Sequence, residues 1–419
     1  MPGKIRPVLI LIAAGLYVFF QLFTPVTRLH GNDFKHLYLG AKIIRQGNNP
    51  YHEERIFYEA RRSGFRTVLP YVYLPFTGLM LVPLTLFRFS TASLIWFVIN
   101  HAFLIFGLYL LVMDYSGRRR LDFLFLWIAY LALFYPLTRN LTAGQLNVVL
   151  FLCFVLVWKF HEKKIPAAVG AVTAFAALFK LSPGILFLYF LWKRQWKNFF
   201  WSCGFAAVFM IFSVLIAGVG MHLDFMEVLG KMSYGHSTWE QYGQDFYRDP
   251  FNQSFNSLFH HLFTTNPYSK PWLKLNPETA NGITTLVSLF LLGLVMFFTR
   301  PGKKGREHLD EKAHFSLFIL LSLFIPSLCW DHYLVQALFP AVVAADLIRR
   351  SGRKIHCVIF SAALLVMAMP YNFHSELFKR GPGILLMSLK LWGMAAIFIL
   401  IILLMKQSPE KKAEKNVGA

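Results

Sequence analysis

Residues 7–24 read PVLILIAAGLYVFFQLFT, a run of 18 residues without a charged side chain. An apolar run of this length can cross the hydrocarbon core of a bilayer as one helix. Lys4 and Arg6 precede it, and because positive charge is retained on the cytoplasmic side, the N-terminus is expected inside. The run resembles a signal sequence, but no small-x-small cleavage site follows it. We therefore interpret it as an uncleaved first transmembrane helix.

The composition of the whole chain agrees with this first segment. Of its 419 residues, 56% are hydrophobic and only 15% are charged, whereas a soluble globular protein has about 25% charged residues. Such a chain lacks the polar side chains needed to cover a water-soluble surface. The composition excludes an ordinary soluble enzyme and indicates a polytopic membrane protein.

The formal net charge of +21 does not indicate nucleic-acid binding. The basic residues form short clusters between apolar segments, for example at 118–120, 349–354 and 406–415. This distribution is typical of cytoplasmic loops that follow the positive-inside rule. The four cysteines lie in apolar segments without CxxC spacing, so they suggest neither a disulfide framework nor a zinc site.

The apolar segments and basic clusters together predict the topology. We expect a single integral membrane domain over residues 1–419, all α-helical, with about 12 transmembrane helices and both termini cytoplasmic, including a basic tail at 406–419. Residues 71–87 are apolar but interrupted by Pro75, Gly78 and Pro83. Because a full crossing there would reverse the charge pattern downstream, we predict a re-entrant or interfacial helix.

Two polar regions remain, and this topology places both outside. They are a first external loop at 28–70 and a second at 221–281. In the first loop, apolar side chains recur at helical spacing from Phe34 through Leu37 and Ala41 to Ile44, while Lys42 falls on another face. We expect a short amphipathic helix lying on the bilayer surface.

Asp33 is the first candidate for chemistry, since it follows the first crossing directly and precedes this interfacial helix. A carboxylate at the boundary between membrane and water can act as a general base toward a hydroxyl group. The alternative is that Asn32 or Asp33 caps the helix that starts near Phe34. Position alone favours the cap.

The motifs around and after Asp33 favour the catalytic role over the helix cap. In chain order they are Asp33-Phe34 with Tyr38, Gly47-Asn48-Asn49-Pro50-Tyr51, Tyr71-Val72-Tyr73-Leu74-Pro75, Gly144-Gln145-Leu146-Asn147, Lys180-Leu181-Ser182-Pro183, Asn252-Gln253-Ser254 and Trp330-Asp331-His332-Tyr333. Their order and placement resemble glycosyltransferase family 87, also known by its DUF2029 domain, over roughly residues 8–405.

The resemblance implies a GT-C fold and an enzyme that takes a sugar from a polyprenyl-phosphate carrier at the outer face of the plasma membrane. The donor is then a lipid-linked hexose, with mannose as the family default, and the acceptor is a glycan or glycolipid. Asp33 matches the position of the essential acid, which implies an inverting displacement with Asp33 as general base. The chain shows neither a Rossmann-type glycine fingerprint nor a cytosolic DxD motif, which is consistent with a lipid donor. No cofactor is expected, and the sequence leaves metal dependence open.

Further residues are candidates for substrate contacts. A departing phosphate needs positive charge or hydrogen-bond donors, and Arg139, Lys180 and His332 are placed to supply them. Plausible partners of sugar hydroxyls are Gln145, Asn147, Asn252 and Gln253. The alternatives are that the two basic side chains reach for lipid headgroups, and that His332 makes a structural hydrogen bond with Asp331.

Two other classes of membrane protein compete with this interpretation. A flippase or transporter for lipid-linked saccharides would carry ionisable residues near the bilayer midplane and show internal repeats, whereas here the charges gather at helix ends. A polymerase or ligase of the O-antigen type would be expected to use arginines in large external loops. An acidic residue directly after the first helix favours the glycosyltransferase.

Overall fold

The computed structural model of the protein describes residues 5–28, 32–113, 120–301, 308–373 and 375–405. Within these ranges every regular element is helical, and extended backbone pairs at a single isolated bridge between Asn252 and Trp330. The all-α prediction is thereby confirmed for this part of the chain. The predicted cytoplasmic tail at 406–419 lies outside the described residues.

The chain begins with a continuous helical run over Ile5–Tyr17, Val18–Phe23 and Thr24–Thr27. The helices that follow are Asn32–Arg45, Glu53–Arg62, Pro75–Leu81, Val82–Leu86, Phe89–Met113, Arg120–Leu133, Tyr135–Ala143, Asn147–Glu162, Pro166–Phe179, Ser182–Gly184, Ile185–Trp192, Trp196–Ala217, Val219–Gly230, Glu240–Tyr242, Phe255–Phe263, Pro277–Thr299, His308–Phe324, Asp331–Ala337, Leu338–Ser351, Lys354–Ala368, Glu376–Phe378, Gly383–Met387 and Leu389–Met405.

Several of these helices have the length and apolar composition of membrane spans. Five qualify in the described part of the chain, namely Val8–Thr27, Phe89–Val112, Trp196–Ala217, Pro277–Thr299 and Asp331–Ser351. The pair Phe123–Leu133 and Tyr135–Ala143, bent by 63°, makes a sixth if it is one broken span. Other apolar helices, such as Pro166–Phe179, are shorter. The count of about twelve crossings stays a prediction.

The main apolar core lies where four helices meet. His308–Phe324, Leu338–Ser351 and Leu389–Met405 pack on one another and on Asn147–Glu162 through aliphatic and phenylalanine side chains. The span Asp331–Ser351 is therefore enclosed by protein along most of its length. This enclosure matters for the site, because polar groups at the start of that span are taken out of water.

The helix predicted after the first crossing forms over Asn32–Arg45. Its apolar side chains, including Phe34, Leu37 and Ala41, are buried against the segment 75–86 and the neighbouring helices. The side of the helix expected to rest on the bilayer therefore packs on protein, since Trp96 and the 75–86 segment offer it an apolar surface. The helical part of that segment is about 18 Å long, too short to cross a bilayer alone.

A buried glutamine fixes the first helix to the bent pair. Pro136 has no N–H group, so the carbonyl of Ala132 loses its donor within the helix. The Gln21 side chain lies next to this carbonyl and donates to the carbonyl oxygens of Leu131 at 2.8 Å and Ala132 at 3.3 Å. It also accepts from the Thr138 hydroxyl at 3.1 Å. One amide thus satisfies the polar groups that the bend exposes.

Replacing this amide is expected to destabilise the fold. Gln21→Leu leaves buried carbonyl groups without a donor, at a cost of about 1–3 kcal/mol. Thermal unfolding in detergent should show a lower melting temperature for this variant. Phe20→Leu, one residue away and partly exposed, should melt like the wild type. Equal melting temperatures for all three proteins would contradict the role assigned to Gln21.

Candidate active site

A cavity of about 600 Å³ lies among helix ends and loops that are distant in sequence. Its polar lining comes from the start of the helix Asn32–Arg45, the turn at 144–145, the break at 180–182 and the turn before residue 331. Five of the sequence-predicted residues line it, namely Asp33, Arg139, Gln145, Lys180 and His332. The fold therefore brings most of the candidates to one place.

Asp33 is positioned by its helix and by the turn that follows Ala143. Its carboxylate lies in the first helical turn, where the helix dipole favours negative charge, and accepts a hydrogen bond of 2.8 Å from the Gln145 amide. Gly144 ends the preceding helix with φ of +70°, and a Cβ atom there would lie 2.6 Å from the Cβ of Phe34. The turn needs glycine, and it delivers Gln145 directly onto Asp33.

His36 and Tyr73 also line the cavity. The imidazole of His36 is 3% exposed, and neither ring nitrogen has a hydrogen-bond partner in the described part of the chain. Burial lowers the pKa of His36, and nearby Asp33 opposes that shift. Burial raises the pKa of Tyr73, with Asp33 adding to the rise. At neutral pH both groups are therefore uncharged beside the carboxylate.

His36 was missed by sequence reasoning, although a signal was present. Asp33 and His36 are three residues apart, which places both on one face of a helix. The Asp33 carboxylate and the His36 imidazole both line the cavity. The His36 ring stacks on Tyr73, with 5.7 Å between the ring centroids.

Lys180 lies at the break between two helices. Its ammonium group donates to the Asn147 side-chain oxygen at 3.1 Å and lies 3.3 Å from the centre of the Tyr333 ring. Asn147 also accepts from Gln336 at 2.9 Å and donates to Asn140 at 3.0 Å. Because Asn147 is fully buried and its amide is satisfied, it supports Lys180 and does not line the cavity.

Behind the cavity wall lies a cluster of buried charges around Asp331. This carboxylate is 0% exposed and lies 3.4 Å from Arg139, 3.4 Å from Lys390 and 3.7 Å from Nδ1 of His332. Lys390 had no interpretation from the sequence, and the structure pairs it with Asp331. One carboxylate therefore faces two basic side chains, of which Arg139 also lines the cavity.

Asn252 and Gln253 do not face the cavity, contrary to the expected contacts with sugar hydroxyls. Asn252 donates to the carbonyl of Ser327 at 3.0 Å and accepts from the N–H of Cys329 at 2.8 Å. Gln253 donates to the carbonyl of Met387 at 3.0 Å and accepts from the N–H of Lys390 at 3.1 Å. These bonds hold the turn that carries Asp331 and the start of the last helix in place.

Comparison with known proteins identifies the family. The model of glycosyltransferase family 87 matches residues 71–327, more than half of the chain. The chain belongs to this family. The resemblance drawn from the motifs is thereby confirmed, and Arg139, Gln145, Lys180 and Asn252 fall inside the matched range. Asp33 and His332 fall outside it, so their inclusion in the family 87 site depends on the cavity that they share with the others.

One curated relative of this family 87 chain comes from Mycolicibacterium smegmatis. It is a polyprenol-phosphate-mannose-dependent alpha-(1-2)-phosphatidylinositol pentamannoside mannosyltransferase, 31% identical over 173 residues. The matched region covers 39% of this chain and 39% of the relative, so the chain spans well under half of the relative's length. No solved structure matches the chain.

The charge cluster generates a prediction about stability. Asp331→Asn leaves the buried Lys390 and the partly exposed Arg139 without their partner, and Lys390→Met leaves Asp331 with Arg139 alone as its permanent cation. Removing one member of a buried ion pair costs about 3–5 kcal/mol. Thermal unfolding in detergent should show a large loss for each single variant and, because the groups interact, a smaller loss for the double variant than the sum. Additive losses would show that Asp331 and Lys390 are not coupled.

Proposed function

We propose that this family 87 protein transfers a hexose, with mannose as the first candidate, from a polyprenyl-phosphate donor to a glycan or glycolipid acceptor. The observation that carries the proposal is the pairing, in one cavity, of the Asp33 carboxylate with the basic side chains of Arg139 and Lys180. The name of the curated relative supports a lipid-linked mannose donor. The positive-inside pattern of the sequence supports an active site at the outer face of the membrane, with both termini cytoplasmic.

The donor phosphate is assigned to the cationic side of the cavity. Lys180 is bonded to the neutral Asn147 side chain and forms no ion pair with a carboxylate of the described residues. Burial lowers the pKa of Lys180 to about 7, and an anion bound beside it favours the charged form. Arg139 shares Asp331 with Lys390 and lies on the same cavity. Positive charge held at this place stabilises the negative charge that accumulates on the departing phosphate.

His332 is the third candidate for phosphate contact. Its side chain is buried and lines the cavity, and Nε2 has no hydrogen-bond partner in the described part of the chain. Asp331 next to Nδ1 orients the ring, which leaves Nε2 free to donate to a phosphate oxygen or a sugar hydroxyl when it carries the proton.

Asp33 is assigned the role of general base. Its Oδ2 atom accepts from Gln145, and Oδ1 has no hydrogen-bond partner in the described ranges, so it can receive the proton of an acceptor hydroxyl. The acceptor oxygen forms a bond to the anomeric carbon while the bond from that carbon to the phosphate oxygen breaks. The proton goes to Asp33, polyprenyl phosphate leaves from the opposite face, and the anomeric configuration is inverted.

The apolar side of the cavity is suited to the lipid part of the donor. Leu178, Leu181, Phe225 and Leu229 line it on the side that includes the helix Val219–Gly230. Burial of isoprenoid units against these side chains removes apolar surface from water. One cavity thus offers separate surfaces to the lipid, the phosphate and the sugar of the proposed donor.

The base assignment is tested by Asp33→Asn. Loss of a positioned general base lowers turnover by about 10²–10⁴-fold, while donor binding should change little, because the amide keeps the shape of the side chain. The measurement is transfer of labelled mannose from polyprenyl-phosphate-mannose in proteoliposomes, together with the Kd for the donor.

Glu54→Gln is the matched control, since it neutralises an exposed acid in the same external segment. It should transfer at the wild-type rate. Full activity of Asp33→Asn would exclude the base assignment, and absence of transfer by the wild-type protein with lipid-linked hexoses would exclude the proposed function.

A further inference from the structure

A second pocket, of about 480 Å³, lies on the external segment that follows the helix Val219–Gly230. Its lining comes from residues 230–241 and, in the described part of the chain, includes one ring, that of His236, and otherwise glycine and polar or charged side chains. This volume is within the range of pockets that hold small-molecule ligands. Neither the family match nor the proposed reaction assigns it a role.

The loop that forms this pocket is held in place at several points. Tyr234 donates to the carbonyl of Ile325 at 2.6 Å, and the Ser327 hydroxyl donates to the carbonyl of Met232 at 2.8 Å. Gly235 has φ of +73°, and a Cβ atom there would lie 2.5 Å from the Asn281 side chain. The start of the loop is thus fixed against the 325–327 turn and the helix Pro277–Thr299.

The other end of the loop is fixed to the first external segment. Gln241 and Tyr242 both donate side-chain hydrogen bonds to the carboxylate of Glu53. Because each end is bonded to a different part of the protein, the pocket has a defined shape.

The same loop also forms a wall of the central cavity. Met232 and Trp239 line the central cavity, while their chain neighbours, among them Ser233 and Thr238, line the second pocket. The two cavities are therefore separated by side chains of a single segment of the chain.

An aromatic row continues from this wall toward the polar centre. Ring centroids are 5.0 Å apart from Trp239 to Phe246, 5.2 Å from Phe246 to Trp330 and 6.4 Å from Trp330 to His332. All four side chains line the central cavity. Aromatic rings offer large, rigid apolar surfaces, and the C–H faces of pyranose rings are complementary to such surfaces.

The chemistry of the second pocket fits a saccharide. Ser233 and Thr238 offer hydroxyl groups, while Lys231 and Glu240 offer opposite charges that cancel. These four side chains form no hydrogen bond with the described residues, so their donors and acceptors are open to a ligand. A lipid chain would find no aliphatic side chain of Val, Leu, Ile or Met here, and an anion would meet Glu240. Neutral sugars with many hydroxyl groups suit this mixed lining.

We propose that the second pocket binds the inner, non-reacting sugars of an oligosaccharide acceptor whose terminal sugar reaches Asp33 along the aromatic row. The inference rests on the proposed function and narrows its acceptor to a chain of at least two or three sugars. A one-sugar acceptor would occupy the central cavity alone.

The test is binding of saccharides to the full-length protein in nanodiscs, measured by saturation-transfer NMR titration. The probes are mannotriose and maltotriose, each compared with the methyl glycoside of its monosaccharide. We expect at least one trisaccharide to bind at least tenfold more tightly than its monosaccharide. Ser233→Trp, which fills the pocket from an exposed position, should remove this difference and leave monosaccharide binding unchanged.

Two further variants control for folding. Thr265→Trp adds the same bulk at an exposed position of the same external segment and should bind like the wild type. Thr238→Val removes one hydroxyl with little change of volume and should weaken trisaccharide binding about three- to tenfold, even if Ser233→Trp fails to fold.

Two results would overturn the proposal. One is equal affinity of the wild type for trisaccharides and monosaccharides, and the other is trisaccharide binding that neither Ser233→Trp nor Thr238→Val changes. Because these measurements need no donor, they are separate from the transfer assay. Trisaccharide binding without hexose transfer would remove the proposed function, and hexose transfer without preference for trisaccharides would remove the acceptor pocket alone.

Discussion

A carboxylate that is completely removed from water must be paired with positive charge, and the pairing of Asp331 is the constraint on which this site depends. Asp331 starts the enclosed span Asp331–Ser351 and lies within 3.4 Å of both Arg139 and Lys390. These cations come from the bent pair and from the last helix. One ion cluster therefore fixes the relative positions of three parts of the chain, in which Arg139 lies 192 residues before Asp331 and Lys390 lies 59 residues after it.

The same pairing separates the polar residues into those that position the charged groups and those that face the cavity. Asn252 and Gln253 hold the turn before Asp331 and the start of the last helix, and Asn147 holds Lys180. These amides are buried and satisfied, so they act by placing charges. Asp33, Lys180 and His332 keep atoms directed to the cavity, where a substrate can meet them. A layer of buried, hydrogen-bonded amides thus lies behind a layer that is open to ligands.

Hydrophobic patterning was enough to predict the helical fold and the helix after the first crossing, because apolar periodicity depends on local sequence. The family motifs located Asp33, Gln145 and Lys180, which share a cavity. The roles of Asn147, Asn252 and Gln253 could not be predicted, since an amide serves a backbone carbonyl as well as a sugar hydroxyl. Lys390 and its partner Asp331 lie 59 residues apart, and sequence spacing gives no sign of such a contact. Several apolar helices are shorter than a bilayer is thick, so hydropathy alone does not decide which of them are separate crossings.

The central claim is that a lipid-linked sugar phosphate binds between Asp33 and the cationic side of the cavity. The most direct measurement is a cryo-EM structure in nanodiscs with a non-transferable phosphonate analogue of polyprenyl-phosphate-mannose. We expect the phosphonate oxygens at hydrogen-bond distance, about 3 Å, from Lys180 or His332, with the anomeric carbon facing Asp33. A headgroup bound outside this cavity, or a sugar turned away from Asp33, would contradict the claim.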